Sequence, residues 1–138
     1  MNTTTAGELV IKTESDIVAA RRVVRQAAIE LGFGQTDVAR IVTAASELAR
    51  NVFKYAGEGI MRWGGLTSGD RVAIEIQFKD DGPGIPDIDL AMQEGYSTGG
   101  GLGMGLPGAK RLTDEMEISS VAGGGTTITL KKWRRSNS

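Results

Sequence analysis

The decapeptide STGGGLGMGL, residues 97–106, is the most informative stretch of this chain. Five of its ten residues are glycine, and Leu102, Met104 and Leu106 alternate with the last of them. Successive glycine amides that lead into a helix form a cradle for anionic oxygens, and the helix dipole adds to the attraction. A flexible linker would lack the interleaved apolar side chains. The stretch therefore predicts a phosphate-binding loop and then a short helix over residues 106–113, with Pro107 near its first turn.

Two familiar phosphate-binding motifs do not account for these glycines. The spacing of Gly103, Gly105 and Gly108 matches the dinucleotide fingerprint, but no hydrophobic strand precedes it and Pro107 lies in its middle. Lys110 nearly completes a Walker A loop, but no serine or threonine follows it to hold magnesium. The HRD and DFG elements of the protein-kinase fold are also missing.

The segment DDGPG, residues 80–84, follows directly on a strongly alternating apolar strand. Glycines at such a point let the backbone approach a flat ligand, and Asp80 can accept a hydrogen bond from an exocyclic amine. A plain turn that ends the strand explains the same residues, because Asp, Gly and Pro all favour turns. The segment alone leaves both interpretations open.

Glu47 and Asn51 lie four residues apart on a predicted helix, so their side chains stack on one face. A carboxylate and an amide in that arrangement can serve as a base and a metal ligand. A solvated hydrogen bond between the two side chains is the alternative, and the pair by itself does not exclude it.

The rest of the chain predicts an α+β fold. Helical periodicity covers residues 16–31 and residues 36 to about 55, with Thr36 or Asp37 as the cap of the second helix. Alternating or turn-bounded strands are predicted at residues 7–12, 60–67, 71–79, 116–121 and 126–133. This order favours a two-layer α/β sandwich in which helices cover one face of a mixed, mostly antiparallel sheet.

Composition narrows the possible functions further. The 138 residues fit one domain, 1–138, and a net charge of −1 gives no reason to expect nucleic-acid binding. The absence of Cys and His excludes disulfides, thiolate or imidazole metal sites and a Ser-His-Asp triad, and points to the cytoplasm. No apolar run is long enough to predict a membrane span. The basic residues Lys131, Lys132, Arg134 and Arg135 are predicted to form a solvated terminus.

Four motifs in combination resemble the N, G1, G2 and G3 boxes of the Bergerat, or GHKL, ATP-binding fold. They are SELARNVFKYA (46–56), DDGPG (80–84), GLGMGL (101–106) and GGGTT (123–127), and they occur in the order of the family. The sequence of residues 97–112 most resembles that of the stressosome switch kinases, which are serine/threonine kinases related to anti-sigma factors.

The resemblance implies a role for each matching residue. Glu47 orients the acceptor hydroxyl or acts as general base, Asn51 holds a magnesium ion, and Lys54 contacts phosphate. Asp80 binds the adenine amino group, and Thr126 supports it through its hydroxyl. The remaining nucleotide contacts are Gly82 and Gly84 beside the base and Gly101, Leu102, Gly103, Met104 and Gly105 around the phosphates, with residues 86–100 as a lid.

The implied function is that of an ATP- and Mg²⁺-dependent kinase whose substrate is a STAS-domain protein in a partner-switching pathway. A downstream phosphatase or another regulator is a further partner that the resemblance suggests. An anti-sigma factor, which sequesters a sigma subunit with ATP as a ligand, is the alternative. Sporulation-type relatives carry a basic residue just before the second glycine box, where this chain has Gly99 and Gly100. The γ-phosphate therefore depends on Lys54, on Lys110 or on a partner.

Overall fold

The computed structural model describes residues 6–82, 102–121 and 123–134. The side chains of residues 102–105 lie outside that description. The elements in chain order are β1 (Gly7–Ile11), α1 (Glu14–Glu30), α2 (Gln35–Asn51), a π-helical turn (Val52–Ala56), β2 (Gly59–Ser68), β3 (Arg71–Asp80), α3 (Leu102–Leu112), β4 (Glu115–Val121) and β5 (Gly125–Trp133).

The five described strands form one sheet in the order β1-β2-β3-β5-β4, and every neighbouring pair is antiparallel. The α+β class is confirmed. The predicted mixed character is not seen in the described strands, where no parallel pair occurs.

In each strand, every second side chain lies on the buried face of the sheet. On β3 these are Ile74, Ile76 and Phe78, each at most 2% exposed. Their cross-strand partners on β5 include Leu130 and Ile128, which are buried too. The helices cover this face, and the core continues into α1, α2 and α3 through side chains that include Val24, Ile41, Leu48, Leu106 and Ala109. Burial of this apolar surface is the main favourable term in the stability of the fold.

Helix α1 begins at a capping box. The Thr13 hydroxyl accepts a hydrogen bond from the backbone N–H of Asp16 at 3.2 Å, and an Asp16 carboxylate oxygen accepts one from the N–H of Thr13 at 3.0 Å. The same oxygen accepts from the N–H of Lys12 at 3.0 Å, and this bond is the main reason that the pKa of Asp16 lies below its ordinary value.

Helix α2 begins at Gln35, and its N-cap residue is Gly34, which offers no side-chain hydrogen bond. The prediction that Thr36 or Asp37 caps this helix is therefore wrong. Asp37 instead lies in the first turn of the helix, and its side chain is buried. Its carboxylate is 3.1 Å from a guanidinium nitrogen of Arg40 and 3.8 Å from the ammonium nitrogen of Lys132.

The basic end of the chain is not a solvated tail over its described part. Lys132 is buried and lies 3.7 Å from the carboxylate of Asp114 as well as near Asp37. Lys131 pairs with Glu115 at 3.6 Å, and Arg134 donates a 2.8 Å hydrogen bond to the carbonyl oxygen of Leu31. The prediction failed because these residues end a central strand, where every second side chain faces the helices.

Helix α3 begins at Leu102, inside the glycine-rich stretch, and Pro107 lies within it rather than in its first turn. Leu106 and Ala109 are fully buried. The packing of these two side chains in the core therefore stabilises helical structure at Gly103 and Gly105, although glycine has a low helix propensity. Over the described residues, no helix is both long and apolar enough to cross a membrane.

Candidate functional site

Asp80 lies at the end of β3, where three strands meet. Its register partners are Gly59 on β2 and Thr126 on β5, so all three positions share the helix-covered side of the sheet. The Asp80 carboxylate accepts a 2.9 Å hydrogen bond from the backbone N–H of Gly82. This bond fixes the carboxylate as an acceptor at the point where the chain leaves the sheet.

Two glycines allow the backbone to pack closely around Asp80. Gly125 has a φ of +94°, and a Cβ there would collide with the carbonyl oxygen of Asp80. A Cβ on Gly82 would lie 2.7 Å from the Cβ of Ala56. Glycine is required at both positions because an added methyl group would push the π-helical turn and the end of β5 away from Asp80.

Thr126 is 8% exposed, and its hydroxyl lies 3.1 Å from the hydroxyl of Ser120 on β4. Ser120 also donates to the carbonyl oxygen of Gly125 at 3.3 Å. These contacts hold the Thr126 hydroxyl next to the position of Asp80. Ser120 was not predicted as a site residue, although its place in the alternation of β4 was available from the sequence.

Glu47 lies in the last turns of α2 with a side chain that is 39% exposed. One of its carboxylate oxygens is 3.1 Å from a guanidinium nitrogen of Arg50. The alternative of a hydrogen bond between Glu47 and the amide nitrogen of Asn51 does not hold, since that nitrogen has no partner. Arg50 is a polar neighbour that the sequence analysis missed, although its spacing from Glu47 is typical of a helical ion pair.

Asn51 is the last residue of α2, and its side-chain nitrogen is buried without a hydrogen-bond partner. A buried amide that lacks a partner costs about 1–3 kcal/mol. Among the described residues, no group accepts a hydrogen bond from this nitrogen. A phosphate oxygen of a nucleotide can accept a hydrogen bond from this NH2 group, whereas the side-chain oxygen of Asn51 is the atom that can bind a metal ion.

The π-helical turn joins Asn51 to the surroundings of Asp80. The N–H of Gly57 closes the turn on the carbonyl oxygen of Val52 at 3.0 Å. Val52 lies against Gly59, and Ala56 lies against Gly82. Such turns are frequent at functional sites, and this one brings the end of α2 to the end of β3.

Lys54 and Tyr55 lie on this turn. Lys54 is exposed, and its ammonium nitrogen is 5.6 Å from the centre of the Tyr55 ring. The Tyr55 hydroxyl is buried without a hydrogen-bond partner, and burial raises the pKa of Tyr55 above its ordinary value. Tyr55 was missed by the sequence analysis, although it lies four residues after Asn51 in the same motif.

The structure describes the glycine-rich stretch only from Leu102 onward. Residues 102–105 form the first turn of α3, and α3 packs against α2. The expected loop conformation of Gly103 and Gly105 is therefore wrong, because their backbone is helical. Gly84, Gly101 and the proposed lid at residues 86–100 lie outside the described residues.

A pocket of about 450 Å³ opens beside Asp80. Ala56, Gly59, Asp80 and Asp81 are among the residues that line it. The described residues contain no group of three His, Cys, Asp or Glu side chains that could hold a metal ion. A metal ion near Asn51 would therefore take most of its ligands from phosphate oxygens and water, as Mg²⁺ commonly does.

Comparison with known proteins gives three findings. Residues 36–136 match the family described as histidine kinase-, DNA gyrase B-, and HSP90-like ATPase. The chain is 54% identical over 125 residues to the serine/threonine-protein kinase RsbT of Bacillus subtilis (strain 168), which covers 91% of this chain and 94% of that kinase. It is 34% identical over 120 residues to the anti-sigma F factor of Thermoanaerobacter sp. (strain X514), which covers 83% and 82% of the two chains.

A solved structure is similar in fold. It is the crystal structure of the RsbU and RsbW domains of a Mycobacterium tuberculosis protein, with a TM-score of 0.59 and 22% sequence identity. The match covers 94% of this chain and 34% of the longer one.

Proposed function

The chain belongs to the family of histidine kinase-, DNA gyrase B- and HSP90-like ATPases, and from this premise we propose that it transfers the γ-phosphoryl group of ATP to a STAS-domain regulator. The chain is a serine/threonine protein kinase, as its 54% identity over nearly the whole length of the Bacillus subtilis kinase indicates. The observation that supports the proposal is the close approach of Ala56 to Gly82, which brings the π-helical turn at the end of α2 next to the end of β3.

Asp80 recognises the adenine amino group in this proposal. Its carboxylate already accepts from Gly82, and it retains acceptor capacity for an exocyclic amine. Thr126 supports the same edge of the base through its hydroxyl. Gly82 and Gly84 leave room for the flat ring, and residues 101–105 lead the amides of the α3 N-terminus towards the phosphates.

Asn51 is the residue that would hold Mg²⁺, together with phosphate oxygens and water. Bound Mg²⁺ supplies charge neutralisation on the phosphates. Lys54 lies three residues after Asn51 on the π-helical turn, and in this proposal its ammonium contacts a phosphate oxygen.

Glu47 orients the acceptor hydroxyl and accepts its proton as the seryl or threonyl oxygen bonds to the γ-phosphorus and ADP leaves. Little proton removal is needed early in such a loose transition state, so a carboxylate suffices. In the structure, a guanidinium nitrogen of Arg50 lies 3.1 Å from a carboxylate oxygen of Glu47. The acceptor hydroxyl therefore has to share or displace this contact when the substrate docks.

The test is direct. The purified chain is incubated with labelled ATP, Mg²⁺ and candidate STAS-domain proteins, and the phosphorylated residue is mapped by mass spectrometry. Glu47→Ala should still bind Mg-ATP but transfer little phosphate, because only the positioning of the hydroxyl is lost. Transfer at the parental rate by this variant would show that Glu47 has another role.

Partner switching is the second part of the proposal. The unmodified STAS partner is expected to bind at least tenfold more tightly than its phosphorylated form, a difference of about 1.4 kcal/mol. The added phosphate carries nearly two negative charges and would face the Glu47 and Asp81 carboxylates. Calorimetry of both forms with Glu47→Ala measures this difference, and equal affinities would exclude release by phosphorylation. A downstream phosphatase is the kind of regulator that the freed surface would then engage.

The identity to anti-sigma F factors supports one competing function, the sequestration of a sigma subunit. Capture experiments with the full chain and ATP separate the two functions. Recovery of a sigma subunit without any phosphorylated STAS protein would favour the anti-sigma function.

A further inference from the structure

Helix α1 carries an unusual stripe on the side opposite its buried face. Val18, Arg22, Arg25 and Ile29 follow one another at spacings of four, three and four residues, so they line one narrow face of the helix. We call these four residues the α1 stripe. Val18 is 53% exposed and Ile29 is 54% exposed. Their positions lie across the helix axis from the fully buried Ala20 and the nearly buried Ala27.

The arginines of this face have no partner within the described residues. Neither Arg22 and Arg25 nor the neighbouring Arg21 forms an ion pair or a hydrogen bond there. Of the acidic residues of the helix, Asp16 belongs to the capping box, Glu30 accepts from Gln26 at 2.9 Å, and Glu14 lies eight residues before Arg22, about two turns away along the helix. By contrast, Arg40, Arg50 and Arg62 each pair with a carboxylate.

The α1 stripe therefore combines unneutralised positive charge with exposed aliphatic side chains on one line. A helix face that only meets water has no need of isoleucine and valine at both ends of such a line. The spacing is that of a seam against which a second helix packs. The geometry points to a docking surface on α1.

We propose that the α1 stripe binds an acidic amphipathic helix of the protein substrate, an inference that rests on the kinase function proposed above. The two apolar anchors lie eleven residues apart, which is about 16 Å along the helix axis. The occupant therefore presents two apolar side chains at that separation. Between them it carries glutamate or aspartate side chains that meet the unpaired arginines.

The first arm of the test uses a synthetic helical peptide with leucines eleven residues apart and glutamates between them on the same face. Binding to the full chain is measured by fluorescence anisotropy at low and at physiological salt. The parental chain should bind the peptide, and Arg22→Glu and Arg25→Glu should each weaken binding at least tenfold. A peptide with lysine in place of glutamate should bind the Arg22→Glu variant better than it binds the parental chain.

Arg62→Glu is the matched control, because Arg62 is a similarly exposed arginine outside α1 and the substitution changes the net charge by the same amount. Equal binding of the acidic peptide to Arg22→Glu and to Arg62→Glu would overturn the proposal. Val18→Asp and Ile29→Asp test the apolar anchors, and each should also weaken binding. Far-UV circular dichroism of all variants confirms that α1 is retained.

The second arm measures phosphorylation of the STAS-domain substrate. Charge reversal at Arg22 or Arg25 should raise KM for the protein substrate at least tenfold while kcat and the affinity for ATP stay at parental values, and the acidic peptide should inhibit competitively. Unchanged KM would show that the substrate docks elsewhere. A parental chain that phosphorylates no STAS protein would contradict the proposed function, while the peptide arm still decides whether α1 is a docking surface.

Discussion

The two ends of α2 differ in how completely their buried polar groups are bonded. At the N-terminal end the Asp37 carboxylate contacts Arg40 and Lys132, and Lys132 also contacts Asp114 at 3.7 Å. Asp114 in turn accepts a 2.7 Å hydrogen bond from the backbone N–H of Trp133. Each charge at this end has an opposite charge beside it.

At the C-terminal end two buried polar atoms, the side-chain nitrogen of Asn51 and the hydroxyl of Tyr55, have no hydrogen-bond partner among the described residues. An unbonded buried polar group lowers the stability of the fold, so its presence calls for a compensating role. The comparison supports a division of roles, in which one end of the helix contributes to stability and the other end is available to the proposed nucleotide. Four substitutions, from the largest expected effect to the smallest, test this division of roles.

Lys132→Met should lower the free energy of unfolding by about 3 kcal/mol, because it removes the buried ammonium that lies near the carboxylates of both Asp37 and Asp114. Urea unfolding measures the loss. Lys131→Met is the matched control, since its ion pair with Glu115 is partly exposed and should contribute less than about 1 kcal/mol. Nucleotide affinity of the folded Lys132→Met protein should stay at the parental value. A large loss of affinity would mean that the two ends of α2 are not independent.

Asp80→Asn should weaken ATP binding by about 1–3 kcal/mol with little change in stability. The amide oxygen can still accept from the N–H of Gly82, so the turn is retained, but the amide can present a donor to the adenine amino group. Equilibrium titration with ATP measures the effect. Unchanged affinity in a folded protein would mean that Asp80 only ends the strand.

Asn51→Leu should raise the free energy of unfolding by about 1 kcal/mol and weaken Mg-ATP binding about tenfold, because an apolar side chain of similar size replaces a buried amide nitrogen without a partner and removes the oxygen that would hold Mg²⁺. Thermal unfolding without nucleotide, followed by nucleotide titration, gives both values. A loss of stability would show that the amide of Asn51 has a structural function, and the contrast between the two ends of α2 would then fail.

The sequence predicted the fold class and most elements because their apolar periodicity is strong. The strand at residues 71–79 and the α2 helix are clear examples, since Ile74, Ile76 and Phe78 alternate and Ile41, Ala45 and Leu48 recur at helical spacing. The same alternation also places Lys132 on the buried face of β5, below Leu130 and Ile128. Its basic neighbours in the sequence obscured that assignment.

Other features depend on tertiary structure and could not be predicted from the chain alone. The π-helical turn is one, because the apolar residues around Val52 fit an ordinary α-helix equally well. The start of α3 at Leu102 is another, since local propensity places the helix after the glycines and only the burial of Leu106 and Ala109 reverses this. Gly82 was expected to line the base, whereas in the structure it packs against Ala56, and the close packing of Gly125 against Asp80 was not predicted.

Tyr55→Phe is expected to have the smallest effect, and its dependence on pH makes it diagnostic. At pH 8 the variant should be more stable than the parental chain by less than about 1 kcal/mol, because a buried hydroxyl without a partner is removed. Burial raises the pKa of Tyr55 above the ordinary value of 10.0, so the folded state disfavours the phenolate. In the unfolded chain Tyr55 ionises once the pH passes that ordinary value, while in the folded chain it stays protonated to higher pH. The contribution of Tyr55 to stability is therefore fully present below about pH 10 and is lost as the pH rises through the raised folded pKa.

Urea unfolding at pH 8 and at about pH 11 should show that Tyr55→Phe becomes increasingly more stable than the parental chain as the pH rises. Asn51→Leu, which keeps the tyrosine, should follow the parental dependence on pH. If the hydroxyl is reserved for the nucleotide, Tyr55→Phe should also bind ATP about fivefold more weakly at pH 8, which corresponds to about 1 kcal/mol. A variant that gains stability and keeps full ATP affinity would remove Tyr55 from the site and leave Asn51 as the residue that distinguishes the two ends of α2.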